Sequence, residues 1–330
     1  MCSVAMTKVS VLVAVYNAEP FLTACLDSLR AQTLADIQVI CVDDASTDGS
    51  LAILNDYARR DPRFEVIHLD SNQGQAHARN VALKEVRGEY VCFVDADDWL
   101  DNDTLECMAE AFGNDGVDCV LLDVVKHDGD HDERYDMPTF TALMGDEAFR
   151  LSLTWQIHGV YGVRADIHQR YPYDETCRSY SDDNTTRLHY LAARRVGRCQ
   201  GVYHYRQHSA SVTHQVSVWR FDYLRANESM RRQLLLLDVD PALVAVYENH
   251  RWLNLVDVYM FYHVHGQELT PAERAYGLSE LRRVWATIDR TLLDRRTIAK
   301  LGYRPCRTWL LFRLQEWLYF TLRAPLGKNR

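Results

Sequence analysis

The sequence predicts an α/β protein: a mostly parallel central sheet with flanking helices, followed by a helical C-terminal extension. Three observations carry that prediction. Short strand-like runs alternate with helix-periodic segments over about the first hundred residues, as in a parallel sheet joined by crossover helices. The first of those runs, residues 9–15, is a continuous β-branched run rather than an alternating one, which suits a strand covered on both faces. From Phe221 onward the pattern is helical, with apolar runs at residues 234–237 and 252–260.

Each element has its own justification. Residues 9–15 (VSVLVAV) form a β-branched run that ends in the turn Tyr16-Asn17-Ala18. Phe21, Leu22, Cys25, Leu26 and Leu29 then fall on one helical stripe. Residues 37–42 (IQVICV) are the second strand and stop at Asp43-Asp44. Ser46-Thr47-Asp48 offers a helix N-cap ahead of Leu51, Leu54 and Ala58. Residues 64–69 give a third strand, 75–86 a helix, and 90–94 (YVCFV) a fourth strand ending at Asp95. A helix at 103–112 and a strand at 117–125 follow, then an acidic hairpin or loop at 126–136. His127 and His131 lie in that segment and are expected in solvent rather than on a metal.

Composition narrows the classes of function. Hydrophobic residues make up 47% and charged residues 25% of the 330, which excludes wholesale disorder. A net charge of -9 argues against a nucleic-acid partner. The charge is uneven: residues 1–220 carry 20 basic and 34 acidic side chains, residues 221–330 carry 17 and 12. Nine cysteines without a CxxC pair suit reduced thiols, Cys41 and Cys92 inside strands, and a reducing compartment. No signal peptide or run of about 18 apolar residues is visible, so the expected location is cytoplasmic.

The chemistry gathers at strand ends. In open α/β sheets ligands bind beyond the carboxyl ends of the strands. Here those ends read Tyr16-Asn17, Asp43-Asp44 and Asp95-Ala96-Asp97-Asp98. Three carboxylates in four residues repel one another, and a hard divalent cation bridging to phosphates is the usual relief. Asp43 and Asp44 suit the N–H of a base or a ribose hydroxyl. A dinucleotide-binding dehydrogenase lacks its GxGxxG, and a nucleotidyltransferase lacks the glycine-rich turn where YNAEPFL stands. A glycosidase would leave Asp44 and the DxD unexplained.

These blocks resemble glycosyltransferase family 2, inverting enzymes of the GT-A fold that use nucleotide sugars. The match runs in order through VSVLVAVYNAEPFL, SLRAQTLADIQVICVDDASTDGS, NQGQAHARNVAL and GEYVCFVDADDWL, then more weakly through Ser181-Asp182-Asp183 and VYHYRQHSASVT. It covers about 215 residues and implies a GT-A domain over residues 1–220, its nucleotide-sugar half about 1–100 and its acceptor and base half about 101–220. Residues 221–330 form the helical region. By the resemblance, Ala14 and Tyr16 border the base, Asp43 and Asp44 hold uracil or ribose, and Arg79 and Asn80 organise the pocket. Asp97 and Asp95 are the DxD ligands of Mn²⁺ or Mg²⁺, Asp95 nearer the ribose, with Asp98 sharing either task. Asp183 is the catalytic base and Asp182 its support; the family more often has Glu-Asp there.

Arg206 suits the diphosphate and His208 a further metal ligand, while Trp99 suits either acceptor stacking or core packing. The expected partners are a nucleotide-sugar donor, UDP by family habit, and a carbohydrate or lipid-linked acceptor, in polysaccharide or glycoconjugate assembly. The alternative is an inactive nucleotide-sugar-binding scaffold. Residues 304–330 combine Arg304, Arg307, Arg313, Arg323, Lys328 and Arg330 with an aromatic, leucine-rich surface. That tail suits a terminal helix docked on the core or, by self-association, on a partner subunit, or peripheral contact at the cytoplasmic face of a membrane.

Overall fold

A computed structural model describes residues 7–129, 131–180, 182–207, 216–300 and 302–324. It divides into two compact units, one of Met1–Glu175 with Thr185–Ser211, the other of Thr176–Asn184 with Val212–Arg330.

The first unit opens as the sequence predicts. β1 (Val9–Val15), α1 (Glu19–Arg30), β2 (Ile37–Asp43), α2 (Ser50–Arg60), β3 (Phe64–His68), α3 (Gln75–Leu83) and β4 (Tyr90–Phe93) alternate along the chain. β3, β2, β1 and β4 lie side by side and parallel. The period-2 geometry of β1 explains why the strand is apolar on both faces apart from Ser10, whose hydroxyl donates to Gln38 Oε1 at 2.7 Å. Val9, Val11, Val13 and Val15 join a core with Leu22, Cys25, Leu26 and Leu29 of α1, while Leu12 joins Ala78, Ala82 and Leu83 of α3 on the other face. Full burial of each aliphatic side chain is worth about 1.5–3 kcal/mol, so this strand fixes its register firmly. Gly88, just before β4, sits so close that a Cβ would lie 2.5 Å from the Ser10 backbone nitrogen.

The sheet then departs from a simple alternation. β5 (Trp99–Leu100), α4 (Thr104–Ala111), β6 (Val117–Asp128), β7 (His131–Arg134), β8 (Ala142–Met144), α5 (Gly145–Ser152), β9 (Tyr161–Arg164), α6 (Ala165–Arg170), α7 (Asp182–Ala192) and β10 (Arg195–Gln207) complete it. The order is β3-β2-β1-β4-β9-β6-β10-β5, with β7 on β6 and β8 on β10. β9 is antiparallel to both β4 and β6 and joins the two halves. Within the segment at 126–136, β6 and β7 pair antiparallel, with His127 opposite Asp132.

Two boundaries differ from expectation. α2 begins at Ser50 with Gly49, rather than a residue of Ser46-Thr47-Asp48, at its N-cap and no side-chain cap, while Asp48 Oδ1 accepts from the Ser50 N–H at 3.0 Å from one residue further back. Ser46 instead serves the neighbouring loop. α3 stops at Leu83 rather than running to residue 86, because Gln38 of β2 draws the Glu85 carbonyl and the Arg87 N–H into side-chain hydrogen bonds. Cys41 and Cys92 are buried as expected, and burial pushes both thiols up to about 12.

The second unit is helical: α8 (Asp222–Leu236), α9 (Pro241–His265), α10 (Pro271–Thr287), α11 (Arg295–Ile298) and α12 (Trp309–Arg323). Trp252, Leu255 and Tyr259 of α9 pack with Phe312 and Phe320 of α12 and Leu281 and Val284 of α10. The Trp252 indole N–H donates to the Tyr303 carbonyl at 2.9 Å. Thr270 and Glu273 form a reciprocal cap at the start of α10. Gly277 admits Phe221, whose ring would lie 2.2 Å from a Cβ there. Among the described residues no helix is long and apolar enough to cross a membrane.

Candidate functional site

The parallel register brings Val15 level with Asp43, so the loops after β1 and β2 leave the sheet together. They are tied to each other. The Asn17 N–H donates to Ser46 Oγ (3.0 Å), the Thr47 N–H to Asn17 Oδ1 (2.8 Å), and the Gly49 N–H to Glu19 Oε2 (2.7 Å). Asn17 and Ala45 both take positive φ, 49° and 59°, to make these turns. For Ala45 that is a strained choice, the cost being of order 1–2 kcal/mol. The lock leaves Tyr16 exposed and Ala14 half-buried beside the strand ends.

Asp43 and Asp44 are both buried and do different work. Asp43 Oδ2 meets His68 Nδ1 at 2.7 Å, and its Oδ1 is buried without a hydrogen-bond partner. Asp44 accepts from the Gln73 N–H and the Gly74 N–H, each at 2.8 Å, and so holds the turn that starts α3. Asn80 on α3 latches residues 173–175. Its Nδ2 donates to the Tyr173 carbonyl at 2.9 Å and its Oδ1 accepts from the Tyr173 N–H at 2.8 Å. At the adjacent position, the buried Arg79 guanidinium stacks 4.2 Å from the Phe93 ring centre and donates to Asp95.

The acidic strand end is thus braced from α3 and, on its other side, from β10. Gln75 Nε2 donates to Asp95 Oδ1 at 2.9 Å. Asp98 accepts from the Tyr203 hydroxyl at 2.7 Å and the Arg206 N–H at 2.7 Å. Burial, and then the neighbouring charges of Asp95 and Asp97, push the Asp98 carboxyl up to about 8. Arg206 Nε donates to the Asp97 carbonyl at 2.8 Å, and its guanidinium lies 4.5 Å from the Trp99 ring centre. Trp99 also stacks on His204 at 5.0 Å and 3°. The ends of β2 and β4, with α3 and β10, therefore supply one rim of charged groups from well-separated parts of the sequence: Asp44, Arg79, Asp95, Asp97, Asp98 and Arg206.

The family model described as Glycosyl transferase family 2 matches residues 10–171. The chain carries a family 2 glycosyl transferase domain. Over 218 residues the chain is 34% identical to the uncharacterized glycosyltransferase EpsJ of Bacillus subtilis, covering 62% of each chain. Over 120 residues it is 39% identical to the poly(ribitol-phosphate) beta-N-acetylglucosaminyltransferase TarS of Staphylococcus aureus, covering 36% of this chain and 21% of TarS. The crystal structure of S. aureus TarS 1–349 in complex with UDP-GlcNAc superposes with a TM-score of 0.76 at 21% identity, covering 97% of this chain and 92% of that one. The GT-A fold expected from the motifs is therefore the fold of this chain.

Within the glycosyl transferase domain, the DxD carboxylates suit a divalent cation. Three acids in four residues, one of them buried and held toward its neutral form, are the crowding that such an ion relieves. Among the described residues no three His, Cys, Asp or Glu side chains converge on one ligand position. A cation here would take one or two carboxylates, with phosphate oxygens and water completing its shell, as magnesium does. His208 lies outside the described residues.

Asp182 and Asp183 open α7, Asp182 exposed and Asp183 half-buried. Acids in a first turn are favoured by the helix dipole whatever else they do.

Several site residues escaped the sequence reading. Gln75 lies inside the NQGQAHARN block, and Tyr203 inside VYHYRQ, where alternation along β10 sends Tyr203 to the buried face. His127 is no solvated loop residue. It hydrogen-bonds His204 across β6 and β10 at 2.8 Å, with Asp132 behind it at 2.6 Å and Asp101 behind His204 at 2.9 Å. No local pattern links these four residues, since strand pairing alone brings them together.

Proposed function

We propose that the chain is an inverting glycosyltransferase that moves a sugar from a UDP-sugar to the hydroxyl of a carbohydrate or lipid-linked acceptor. The observation that carries this reading is the braced rim, with Asp95 and Asp98 held from α3 and β10 while Asp97 stays half-exposed between them. A rim fixed from both sides before substrate arrives costs little reorganisation on binding. The UDP-GlcNAc complex of the TarS fragment supports the choice of donor class.

In this reading Ala14 and Tyr16 border the uracil, and Asp43 and Asp44 line the base and ribose end. Arg79 orients Asp95 toward the ribose, and Asn80 keeps α3 in place. Asp97, with Asp95 and His208, would hold Mn²⁺ or Mg²⁺; when bound, such an ion neutralises charge on the diphosphate. Arg206 adds a guanidinium positioned by Trp99 and the Asp97 carbonyl. Asp183, supported by Asp182, accepts the proton of the acceptor hydroxyl as its oxygen bonds to the sugar C1. The bond from C1 to the diphosphate oxygen breaks on the opposite face, so one displacement inverts the anomeric centre. General-base assistance of this kind is worth about 10²–10⁴-fold.

The test is a donor panel assayed with Mn²⁺ beside Asp183→Asn, together with thermal melts. UDP is expected to raise the melting temperature when the cation is present and to leave it unchanged without it. Asp183→Asn should keep that response yet lose transfer by about 10²–10⁴-fold. Intact transfer in the variant would remove the base assignment. A UDP response indifferent to the cation would remove the metal. Wild-type chain that binds UDP but transfers nothing from any donor would leave a binding scaffold.

A further inference from the structure

α12 turns an apolar face outward. Of its seven exposed positions six are large apolar residues: Leu310, Leu311, Leu314, Trp317, Leu318 and Leu322, with Thr321 the polar one. Leu310 is 74% and Leu322 66% exposed. The opposite face already packs inside the second unit through Phe312 and Phe320. Scattered exposed leucines are ordinary on a soluble surface, but a contiguous helical face of them marks a docking surface.

Charge and shape indicate what docks there. The neighbouring cations are Arg304, Arg307, Arg313 and Arg323, and the acid of this stretch, Glu316, is buried on the inner face. Beside the face opens a cavity of about 580 Å³, lined by Tyr259, Tyr262, Arg274, Arg313, Leu314 and Trp317 among others. Its wall is apolar and aromatic toward the α12 face, and it holds two guanidiniums. Arg274 Nη1 donates to Gln267 Oε1 at 3.1 Å, and Arg313 Nε is buried without a hydrogen-bond partner. A second copy docking through the same face would bring these arginines against their own images, with no exposed acid in this helix to offset them.

We propose that α12 is an interfacial membrane helix. Its leucines and Trp317 enter the headgroup and acyl boundary of a membrane containing anionic lipid, and Arg274 and Arg313 receive a lipid phosphate in the adjoining cavity. The helix is too short and too charged to span, and an amphipathic helix with aromatic and basic residues is built to lie in the interface. The inference stands on the second unit alone and does not depend on the donor site.

Sedimentation of the full chain with phosphatidylcholine vesicles, with and without phosphatidylglycerol, tests it. Binding is expected on the anionic vesicles and should weaken with salt. Trp317→Ser should reduce partitioning roughly tenfold. Arg313→Gln should reduce it about fivefold on anionic vesicles. The exposed-face triple variant Leu310→Ser, Leu314→Ser and Leu318→Ser should lose association while its circular dichroism and UDP response stay those of the wild type. Unchanged association of the triple variant would overturn the proposal. So would a dimer in light scattering that the triple variant abolishes while vesicles are ignored, which would assign the face to a second copy. Displacement from vesicles by inorganic phosphate at matched ionic strength would reassign the cavity to a free phosphate.

Discussion

Glu316 offers a direct measure of how α12 is held. It lies on the buried face between Phe312 and Phe320, one turn from each, and is itself fully buried. Oε1 accepts from Gln315 Nε2 at 3.1 Å, while Oε2 is buried with no hydrogen-bond partner. Burial pushes the carboxyl from its ordinary 4.5 up to about 8. Because the folded value is the higher one, the folded chain keeps a proton that the unfolded chain releases between the two. The associated stability is complete below about pH 4.5 and is lost as pH rises toward about 8.

At roughly 1.4 kcal/mol per pH unit the whole interval could approach 5 kcal/mol, and relaxation around the charge reduces this to about 2–3 kcal/mol. Glu316→Gln keeps the Oε1 acceptor and cannot ionise. It should match the wild type near pH 5 and exceed it by about 2–3 kcal/mol above pH 8. Urea unfolding followed by tryptophan fluorescence reads this well, because Trp219, Trp252, Trp285, Trp309 and Trp317 all lie in the second unit. Parallel stability profiles of the two proteins across that range would refute the reasoning.

Three other changes test the remaining physical claims. Ala45→Gly relieves the positive φ of 59° and should raise stability by up to about 1 kcal/mol, seen as a higher melting temperature; a lower one would mean the turn is not strained. Glu248→Ala removes the main counterion of the buried Arg251, whose guanidinium donates to both Glu248 oxygens at 2.9 and 2.8 Å and then keeps Thr287 at 2.9 Å and Glu228 at 4.0 Å, and should cost about 3 kcal/mol in chemical denaturation. Asp44→Ala removes the acceptor of the Gln73 and Gly74 N–H groups and should cost about 2 kcal/mol and weaken UDP in calorimetry. Asp44→Asn, which keeps one acceptor oxygen, should recover part of the loss.

The first four strands were legible because β1, β2 and β4 are largely buried on both faces and read as mainly apolar runs, and β3 follows at the same spacing although only Phe64 of it is fully buried. β1 was placed to the residue for that reason. β9 was not, since four residues (YGVR) are too few to establish a period. β5 is only two residues long and exists through its pairing with Tyr203 and His204 of β10. The hairpin at 126–136 reads as solvent because its acids dominate the local composition, and composition cannot report that His127 faces His204.

Local chemistry therefore determined the acidic strand ends and the family that their motifs resemble. An apolar run that stops at a carboxylate has few other stable places in an α/β sheet. Tertiary structure alone decided how those carboxylates are held. Asp44 is committed to the α3 turn, Asp95 is met by Arg79 and Gln75, and Asp98 is clasped by Tyr203 and the Arg206 backbone. It also decided which side of α12 is left to solvent, because helical periodicity distinguishes two faces but only packing against α9 and α10 selects the one that is buried.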